Sequence, residues 1–436
     1  MIDVKRILIA GLVAGTAISG LGFAPVLTAQ VARPAPAPAP RATAIDALAK
    51  TYVAQDRAPG IVLAVGARGA PAHFARSGRI DDAANGEAAT PDSLWRVYSM
   101  TKPITAMAAM MLVEDGKLKL DQPIYELIPA FRNMKVLTDP ENSLASRPAA
   151  RPITVRHLMT HTAGLGYSIV TTGPLKAEYE RLGILPGAIE PKTEAQAVTV
   201  RPKSLEEFAN RLATLPLIAD PGTEWSYSIG LDLLPRVIEV ASGMPFERFL
   251  QTRMFGPLGM TATYWTVPQD QVGRLGPNYF WAGDNRVPLD PAGAASVYAR
   301  APSFPYGGAG LVMSARDYDR FLAMLLNGGE LGGKRVMKAE TVRLAMSNVL
   351  PRGVTFEGIP GTGAQSAAGG YGAGGFVTLA DVPGGPGAGT YGWGGAAGTI
   401  AWVDPKNGLR ASAYVNYFPA EKWPLRTDLM KAVYSR

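Results

Sequence analysis

The sequence predicts an α+β protein in which a sheet is assembled from both ends of the chain and a mostly helical part is inserted between them. Strand-like apolar runs fall near the two ends, whereas the middle carries apolar residues at helical spacing. Hydrophobic residues make up 47% of the 436 residues, enough to bury one large core or two joined ones. We place the sheet part at about residues 44–98 and 300–436 and the helical part at about residues 99–299.

The composition excludes several classes of protein. Only 18% of the residues are charged, so a disordered, strongly charged chain is excluded. The formal net charge of +7 is spread along the sequence without a basic cluster, and we therefore expect no nucleic-acid partner. The absence of cysteine excludes disulfide scaffolds, thiolate metal sites and a cysteine nucleophile.

The N-terminal residues follow the order that is typical of a secretory signal peptide. Lys5 and Arg6 precede an uncharged apolar stretch, Ile7–Phe23, which ends in small residues up to Ala29. Glycines dilute this stretch, so cleavage is favoured over retention as an anchor. We therefore expect a secreted or periplasmic protein without stable membrane insertion. The predicted segments are a signal peptide (1–29), a Pro/Ala-rich linker (30–43) and one domain (44–436).

The elements of that domain are predicted from periodicity and from turn residues. The chain opens with a helix at Ala44–Gln55, and the apolar runs Gly60–Val65 and His73–Ile80 form a hairpin. Ser99–Glu114 is rich in Ala, Met and Leu and stops at Asp115-Gly116, which predicts a buried helix. Further helices are expected at Ile153–His161, Ser204–Ala213, Leu231–Ala241, Ala315–Leu326 and Leu425–Tyr434, and further strands at Gly398–Val403 and Leu409–Val415.

Ser99 is the one serine that is followed by lysine three residues later, in Ser99-Met100-Thr101-Lys102. This spacing puts both side chains on one face at the start of a helix. A serine hydroxyl becomes a good nucleophile when a base takes its proton, and a lysine can be that base where burial or a nearby cation lowers its pKa. A helix N-cap serine with a surface lysine is the alternative interpretation.

Two further motifs supply candidate partners for this serine. Trp225-Ser226-Tyr227-Ser228 is a polar turn before a predicted helix, and a tyrosine there can share a proton with a lysine. The alternative is a packed tyrosine with a satisfied hydroxyl. The glycine-rich run Tyr391–Thr399 permits close backbone approach, so an N–H there can form an oxyanion hole with the Ser99 N–H. The alternative is a flexible loop.

The three motifs, in this order and at these separations, resemble the serine β-lactamase fold, specifically class C β-lactamases and family VIII carboxylesterases. The resemblance extends from about Ile45 to the C-terminus. It includes the framework stretches Ile153–Leu165, Phe255–Met260 and Gly307–Leu311.

This resemblance implies a transpeptidase-like fold, with an antiparallel sheet flanked by helices. It also implies that Ser99 is the nucleophile and that Lys102 and Tyr227 form the general base pair. The backbone N–H groups of Ser99 and Ala396 would then form the oxyanion hole.

Two departures from the family pattern favour esters over antibiotics and peptides. Trp393-Gly394-Gly395 stands where the antibiotic-hydrolysing enzymes have Lys-Thr-Gly, so the cation that would bind a substrate carboxylate is missing. Tryptophan offers a stacking face suited to neutral apolar groups. Ile229 stands where class C enzymes have asparagine, which removes an amide that would bind an acylamido group. These four residues are therefore expected to contact the substrate.

Two other site types depend on histidine. His157 and His161 are four residues apart on a predicted helix, the spacing of two metal ligands, but no His-Glu-x-x-His motif is present and framework hydrogen bonding is favoured. His161 could also serve as the base of a Ser-His-Asp triad. No Gly-x-Ser-x-Gly elbow accompanies it.

The sequence thus predicts a serine hydrolase that cleaves small carboxylic esters through an acyl-enzyme, without a metal or an organic cofactor. The alternatives are a β-lactamase, a D-alanyl peptidase-like amidohydrolase, an acyltransferase and a non-catalytic cell-wall binding module. The stretches Tyr167–Val200 and Phe280–Tyr306 are expected to line the pocket.

Overall fold

The computed structural model describes residues 39–359 and 369–434, so the predicted signal peptide (1–29) lies outside the described residues, as do residues 30–38 of the predicted linker. The first helix begins at Ala39, ahead of the predicted start, and therefore includes the end of the predicted linker. The side chain of Arg41 explains part of this extension, because its Nε donates to the carbonyl of Val433 at 2.8 Å.

Twelve α-helices lie in the described part of the chain. They are α1 (Ala39–Ala54), α2 (Thr101–Glu114), α3 (Val155–Met159), α4 (Gly173–Arg181), α5 (Pro191–Ala197), α6 (Leu205–Leu212), α7 (Gly230–Ser242), α8 (Phe246–Leu250), α9 (Gly256–Leu258), α10 (Ala315–Leu326), α11 (Ala339–Ala345) and α12 (Leu425–Tyr434). A 3-10 turn at Tyr98–Met100 leads into α2.

Seventeen strands accompany these helices in the described residues. They are β1 (Gly60–Ala67), β2 (His73–Gly78), β3 (Leu94–Arg96), β4 (Lys135–Leu137), β5 (Ser146–Pro148), β6 (Thr263–Tyr264), β7 (Asn278–Ala282), β8 (Asn285–Asp290), β9 (Val312–Ser314), β10 (Glu330–Leu331), β11 (Lys334–Arg335), β12 (Gly369–Tyr371), β13 (Phe376–Thr378), β14 (Tyr391–Gly394), β15 (Ile400–Asp404), β16 (Leu409–Tyr414) and β17 (Tyr417–Phe418).

The main sheet has seven strands in the order β12-β13-β14-β15-β16-β1-β2, with each neighbouring pair antiparallel. The N-terminal hairpin is therefore inserted at the end of a C-terminal meander, with Val62 opposite Tyr414. This confirms the prediction of an α+β fold whose sheet is built from both ends of the chain.

The main sheet is buried on both faces. In β1, Ile61, Leu63 and Val65 pack with α1 and α12, whereas Val62 belongs to the large core that includes α2 and α10. Because successive strand side chains point to opposite faces, one apolar run can serve two cores. All but the last residue of β1 is accordingly buried, which explains why its sequence is a continuous apolar run.

The inserted part surrounds α2, whose residues from Thr101 to Leu112 are all buried. Helix α7 packs against α2, α3, α6 and α8.

A small three-stranded sheet, β17-β7-β8, was not predicted. Its strands β17 and β7 are parallel, with Tyr417 beside Tyr279. None of the helices in the described residues has the length and hydropathy needed to cross a membrane.

Most predicted helices are confirmed, with shifts at their ends. Helix α10 has the predicted bounds, and Ser204 caps α6 by accepting a hydrogen bond from the Glu207 amide at 3.1 Å, as its capping pattern predicts. Helix α3 is shorter than predicted because the chain turns at His161, which adopts a left-handed φ of 57°. Pro235 lies inside α7, which continues to Ser242.

Candidate active site

Ser99 lies in the 3-10 turn immediately before α2 and is half-buried. The N-cap of α2 is Met100, and no side chain caps the helix. The Ser99 hydroxyl is therefore not used to cap α2, in contrast to the alternative interpretation of the motif. The preceding residue, Tyr98, has a left-handed φ of 41°, an unusual backbone conformation for a bulky residue and one that clusters at functional sites.

Lys102 lies one helical turn beyond Ser99 and is fully buried, so it is not the surface lysine of that alternative. Its Nζ lies 3.0 Å from Ser99 Oγ and donates a second hydrogen bond to the Gly308 carbonyl at 2.8 Å. Within the described part of the chain, Lys102 forms no ion pair with a carboxylate. The amine is thus held by neutral oxygens, and one of them is the candidate nucleophile.

Tyr227 completes the group from a distant part of the chain. Its Oη lies 2.7 Å from Ser99 Oγ, and its ring centre lies 4.7 Å from Lys102 Nζ. Tyr227 occupies the irregular turn before α7 and is 5% exposed. Serine, lysine and tyrosine therefore share a mostly buried site in which a proton can pass from the serine to either neighbour.

A buried carboxylate that the sequence reasoning missed lies next to this group. Asp232, in the first turn of α7, is 1% exposed, and its Oδ1 accepts a hydrogen bond from the Gly308 amide at 2.8 Å. Burial raises the pKa of the Asp232 carboxyl, while the charge of Lys102 acts in the opposite direction. Asp232 lies five residues after Tyr227. An acidic residue at the start of an apolar helix, so close to a candidate tyrosine, was the signal in the sequence that could have identified it.

The glycine pair Gly307-Gly308 lets α7 approach the site closely. A Cβ on Gly307 would lie 2.5 Å from the Leu231 carbonyl oxygen and 2.5 Å from Pro235 Cγ. A Cβ on Gly308 would collide with the Asp232 carboxylate. Both positions therefore require glycine, which explains this part of the framework stretch noted in the sequence.

The proposed oxyanion donors lie on two adjoining segments. Gly395 packs so closely against the Val97 carbonyl that a Cβ would collide with it, which brings the end of β14 beside the turn that carries Ser99. Ala396 is exposed, and among the described residues neither its N–H nor that of Ser99 donates a hydrogen bond to the protein. Both N–H groups therefore remain free to bind an oxyanion.

Trp393 forms an aromatic wall beside the reacting groups. It is half-buried, and its ring centre lies 6.0 Å from that of Tyr227 and 5.3 Å from that of Tyr371. Gly394 is also half-buried, whereas Gly395 is buried beneath the turn. Substrate in contact with this wall would meet apolar ring faces rather than a cation.

The side chain of Ile229 does not lie on this wall. It is completely buried at the N-cap of α7 and belongs to the large core. The expectation that Ile229 contacts the substrate therefore disagrees with its position, because a core side chain of this kind has no exposed surface to offer.

Both histidines accept hydrogen bonds from backbone amides. His157 Nδ1 accepts a hydrogen bond from the Thr154 amide at 3.2 Å within a capping box of α3. His161 Nδ1 lies 3.0 Å from Ser228 Oγ, and His161 has no hydrogen bond to Ser99 in the described residues. Across residues 39–359 and 369–434, no three His, Cys, Asp or Glu side chains form a group that could hold a metal.

The structure has a cavity of about 150 Å³ between the two stretches that were expected to line the pocket. Its walls include Val198, Tyr298 and Pro302 from those stretches, together with Trp265. Ser99, Lys102 and Tyr227 are not among its lining residues. Tyr306, which lines the cavity, lies two residues before Gly308, whose carbonyl accepts the hydrogen bond from Lys102.

The chain is similar to known proteins in sequence. The family model described as Beta-lactamase matches residues 45–435. Esterase EstB of Burkholderia gladioli is 32% identical over 416 residues, which cover 91% of this chain and 95% of EstB. Lovastatin esterase of Penicillium rubens is 33% identical over 341 residues, which cover 73% of this chain and 78% of that enzyme.

Among solved structures, EstCE1, described as a hydrolase with promiscuous acyltransferase activity, matches with a TM-score of 0.74 and 25% identity. The match covers 91% of this chain and 99% of EstCE1. The resemblance inferred from the motifs is therefore confirmed in sequence and in fold. Because the family model covers almost the whole described domain, the chain belongs to the beta-lactamase family.

Proposed function

We propose that the protein is a serine carboxylesterase that cleaves small, neutral carboxylic esters through an acyl-enzyme on Ser99. One observation carries this proposal: Ser99 Oγ lies 3.0 Å from the amine of Lys102 and 2.7 Å from the phenol of Tyr227. Contact of one serine hydroxyl with an amine and a phenol supports the roles of a nucleophile and two proton carriers. Two relatives with high coverage, EstB and lovastatin esterase, are named as esterases, which supports the same reaction.

Acylation begins when the single hydroxyl proton of Ser99 passes to the hydrogen-bonded pair of Tyr227 and Lys102. The Ser99 oxygen then attacks the ester carbonyl carbon, and the N–H groups of Ser99 and Ala396 donate to the oxyanion of the tetrahedral intermediate. Collapse of the intermediate breaks the bond to the alcohol oxygen, which leaves as the alcohol after taking the proton from Tyr227 and Lys102. Water attacks the acyl-enzyme by the same steps and releases the acid.

The substrate preference follows from the wall at Trp393. A β-lactam or a peptide C-terminus carries a carboxylate, which a positioned lysine binds through a charge-assisted hydrogen bond. Trp393 offers one N–H donor and a ring face instead, so it favours neutral alkyl or aryl groups. We expect hydrolysis of β-lactams to be slow by comparison with esters.

Transfer of the acyl group to an alcohol is the second candidate activity. It uses the same acyl-enzyme, with the alcohol in the place of water, and EstCE1 is described as a hydrolase with promiscuous acyltransferase activity. Product analysis with added alcohols separates the two outcomes. A new ester in the products supports transfer, and free acid alone supports hydrolysis.

A substrate panel tests the proposed function. The purified protein is assayed with p-nitrophenyl esters of increasing acyl length, with nitrocefin and with a D-alanyl peptide, beside the Ser99→Ala variant. We expect ester hydrolysis that disappears in the variant. Turnover of nitrocefin as fast as that of a short aryl ester would overturn the ester preference, and a wild-type protein inert towards every compound and towards a fluorophosphonate would favour a non-catalytic binding module.

We also propose that the enzyme acts outside the cytoplasm. The support is the order of charged, apolar and small residues in residues 1–29. Expression of the full chain followed by N-terminal sequencing tests this proposal. We expect an exported protein whose first residue lies near Gln30, whereas an uncleaved protein in the cytoplasmic fraction would contradict it.

A further inference from the structure

His161 contacts three consecutive residues of the turn that carries Tyr227. Its backbone carbonyl accepts a hydrogen bond from the Ser226 amide at 2.9 Å. Its side chain Nδ1 accepts one from the Ser228 amide at 3.0 Å. Its ring centre lies 4.7 Å from that of Tyr227, which stands between the two bonded amides.

The backbone of His161 makes this double contact possible. Its φ of 57° is in the left-handed region, which few non-glycine residues adopt and which histidine tolerates better than most. In this conformation the carbonyl and the ring face the same turn. A backbone conformation of this kind persists only where surrounding contacts hold it, and here those contacts are the bonds to Ser226 and Ser228.

The hydrogen bond to Ser228 determines which ring nitrogen carries the proton. A backbone N–H can only donate, so Nδ1 must present a lone pair to it, and the proton of a neutral ring lies on Nε2. The Ser228 hydroxyl, also 3.0 Å from Nδ1, can donate to the same lone pair. An imidazolium would turn Nδ1 into a donor and would break the bond from the amide.

The surroundings keep the ring neutral. His161 is 1% exposed, and burial and the charge of Lys102 hold the pKa of His161 well below its usual value. Its ring edges meet the rings of Trp225 and Tyr371, with centres 5.7 and 5.5 Å away, and Nε2 has no hydrogen-bond partner in the described residues. Beside Lys102, the titratable groups that face it are the phenols of Tyr227 and Tyr371.

We propose that His161 is a positioning residue that holds the Tyr227 phenol against Ser99, acting as a neutral ring with its proton on Nε2. The role rests on the proposed esterase mechanism. Tyr227 lies on an irregular turn, so neither a helix nor a strand fixes its phenol at 2.7 Å from the nucleophile. Misplacement of a catalytic group by about 1 Å can cost a factor of about 100 in rate, and His161 prevents that displacement from behind.

Two substitutions separate the hydrogen bond from the bulk of the ring. In His161→Asn, the Oδ1 atom occupies the place of Nδ1 and can only accept, and asparagine also tolerates positive φ. His161→Leu has nearly the same shape as the asparagine variant but no acceptor. His157→Asn is the matched control, because His157 is also buried and its Nδ1 also accepts a backbone hydrogen bond, but from Thr154 in the cap of α3.

We expect kcat for a p-nitrophenyl ester to fall about 100-fold in His161→Leu and less than about tenfold in His161→Asn, with KM changed little in both. His157→Asn should retain kcat. Fluorophosphonate titration of Ser99 counts folded sites in each preparation. Wild-type kcat in His161→Leu, or an equal loss of kcat in the asparagine and leucine variants, would overturn the proposal.

Nitrogen-15 NMR of histidine-labelled wild-type protein tests the proton position without any substitution at His161. The chain has three histidines, so spectra of His73→Asn and His157→Asn assign the third signal. We expect a ring that is protonated on Nε2 alone near pH 7. A proton on Nδ1 at that pH would overturn the proposal even if His161→Leu does not fold. This NMR experiment does not depend on esterase activity. Failure of the proposed function would be seen in a different experiment, as esterase activity that is retained in Ser99→Ala.

Discussion

The amide of Gly308 donates a hydrogen bond to Asp232, and the carbonyl of the same glycine accepts one from Lys102. One residue thus connects a buried carboxylate on α7 with the buried amine on α2. Asp232 fixes the glycine, and the glycine carbonyl fixes the direction of the amine. The position of Lys102 therefore depends on a backbone segment as well as on its own helix.

Substitution of Gly308 tests this dependence. In Gly308→Ala the new Cβ collides with the Asp232 carboxylate, so the segment must shift and carry the acceptor of Lys102 with it. We expect kcat/KM for an aryl ester to fall about 100-fold, the cost of a displacement of about 1 Å. Gly273→Ala is the control, since a Cβ there meets nothing within 4 Å. Retention of activity within twofold in Gly308→Ala would contradict the account of this segment.

Trp393 is expected to determine binding of the organic groups of the ester. Trp393→Ala removes the ring face beside Tyr227, so KM for a p-nitrophenyl ester should rise about fivefold, in line with the ~1 kcal/mol of an aromatic contact. Steady-state kinetics check this. Trp423→Ala, at a half-buried ring that packs against the core between α1 and the main sheet, should leave KM unchanged. An equal change in KM in both variants would show that Trp393 acts through stability alone.

Acid should destabilise the protein through its buried histidines. Burial lowers the pKa of His157 from 6.5 to about 4. The unfolded chain therefore takes up a proton near pH 6.5 while the folded chain does not until pH 4, so the free energy of unfolding falls as pH falls through this window. Between pH 7 and pH 4.5 the loss from His157 should be roughly 2–3 kcal/mol.

Urea denaturation of wild-type protein and His157→Asn at these two pH values measures this loss. The variant keeps an acceptor for the Thr154 amide but has no group that titrates. We expect the variant to lose less stability than the wild type between pH 7 and pH 4.5. Equal losses would mean that folding does not lower the pKa of His157.

A buried ion pair supports the strand that precedes Ser99. Arg96, at the end of β3, is 3% exposed and is bonded to Asp290, to the Ser296 hydroxyl and to the Gly276 carbonyl. Arg96→Ala leaves the Asp290 charge buried without its partner, which should cost about 3–5 kcal/mol in the free energy of unfolding. Arg147→Ala, which breaks an exposed pair with Asp220, should cost far less, because solvent screens both charges. Thermal or urea denaturation distinguishes the two.

The sequence predicts the local parts of this site better than the distant ones. Ser99, in the 3-10 turn, and Lys102, in the first turn of α2, are three residues apart, so the spacing alone places them together. Tyr227 was assigned through the family resemblance, because nothing local shows that its turn returns to α2. The contact of Asp232 with Gly308 joins residues 76 apart, and two buried elements must pack before it exists.

Burial and strain were the other features beyond sequence reasoning. Ile229 was expected at the substrate because of its position in a motif, but the turn of the chain places its side chain in the core. The left-handed conformation of His161 depends on bonds to residues 65 and 67 positions away along the chain, which periodicity does not report. The parallel pair of β17 and β7 is also long-range, which explains why the small sheet was not predicted.

Intact-protein and peptide mass spectrometry after rapid mixing with an aryl ester tests the central claim most directly. If Ser99 is the nucleophile and Lys102 its base, the acyl mass appears on the peptide that contains Ser99, and Lys102→Met forms the adduct at least about 100-fold more slowly while remaining folded. An adduct on another residue, or wild-type acylation of Ser99 in Lys102→Met, would contradict the account.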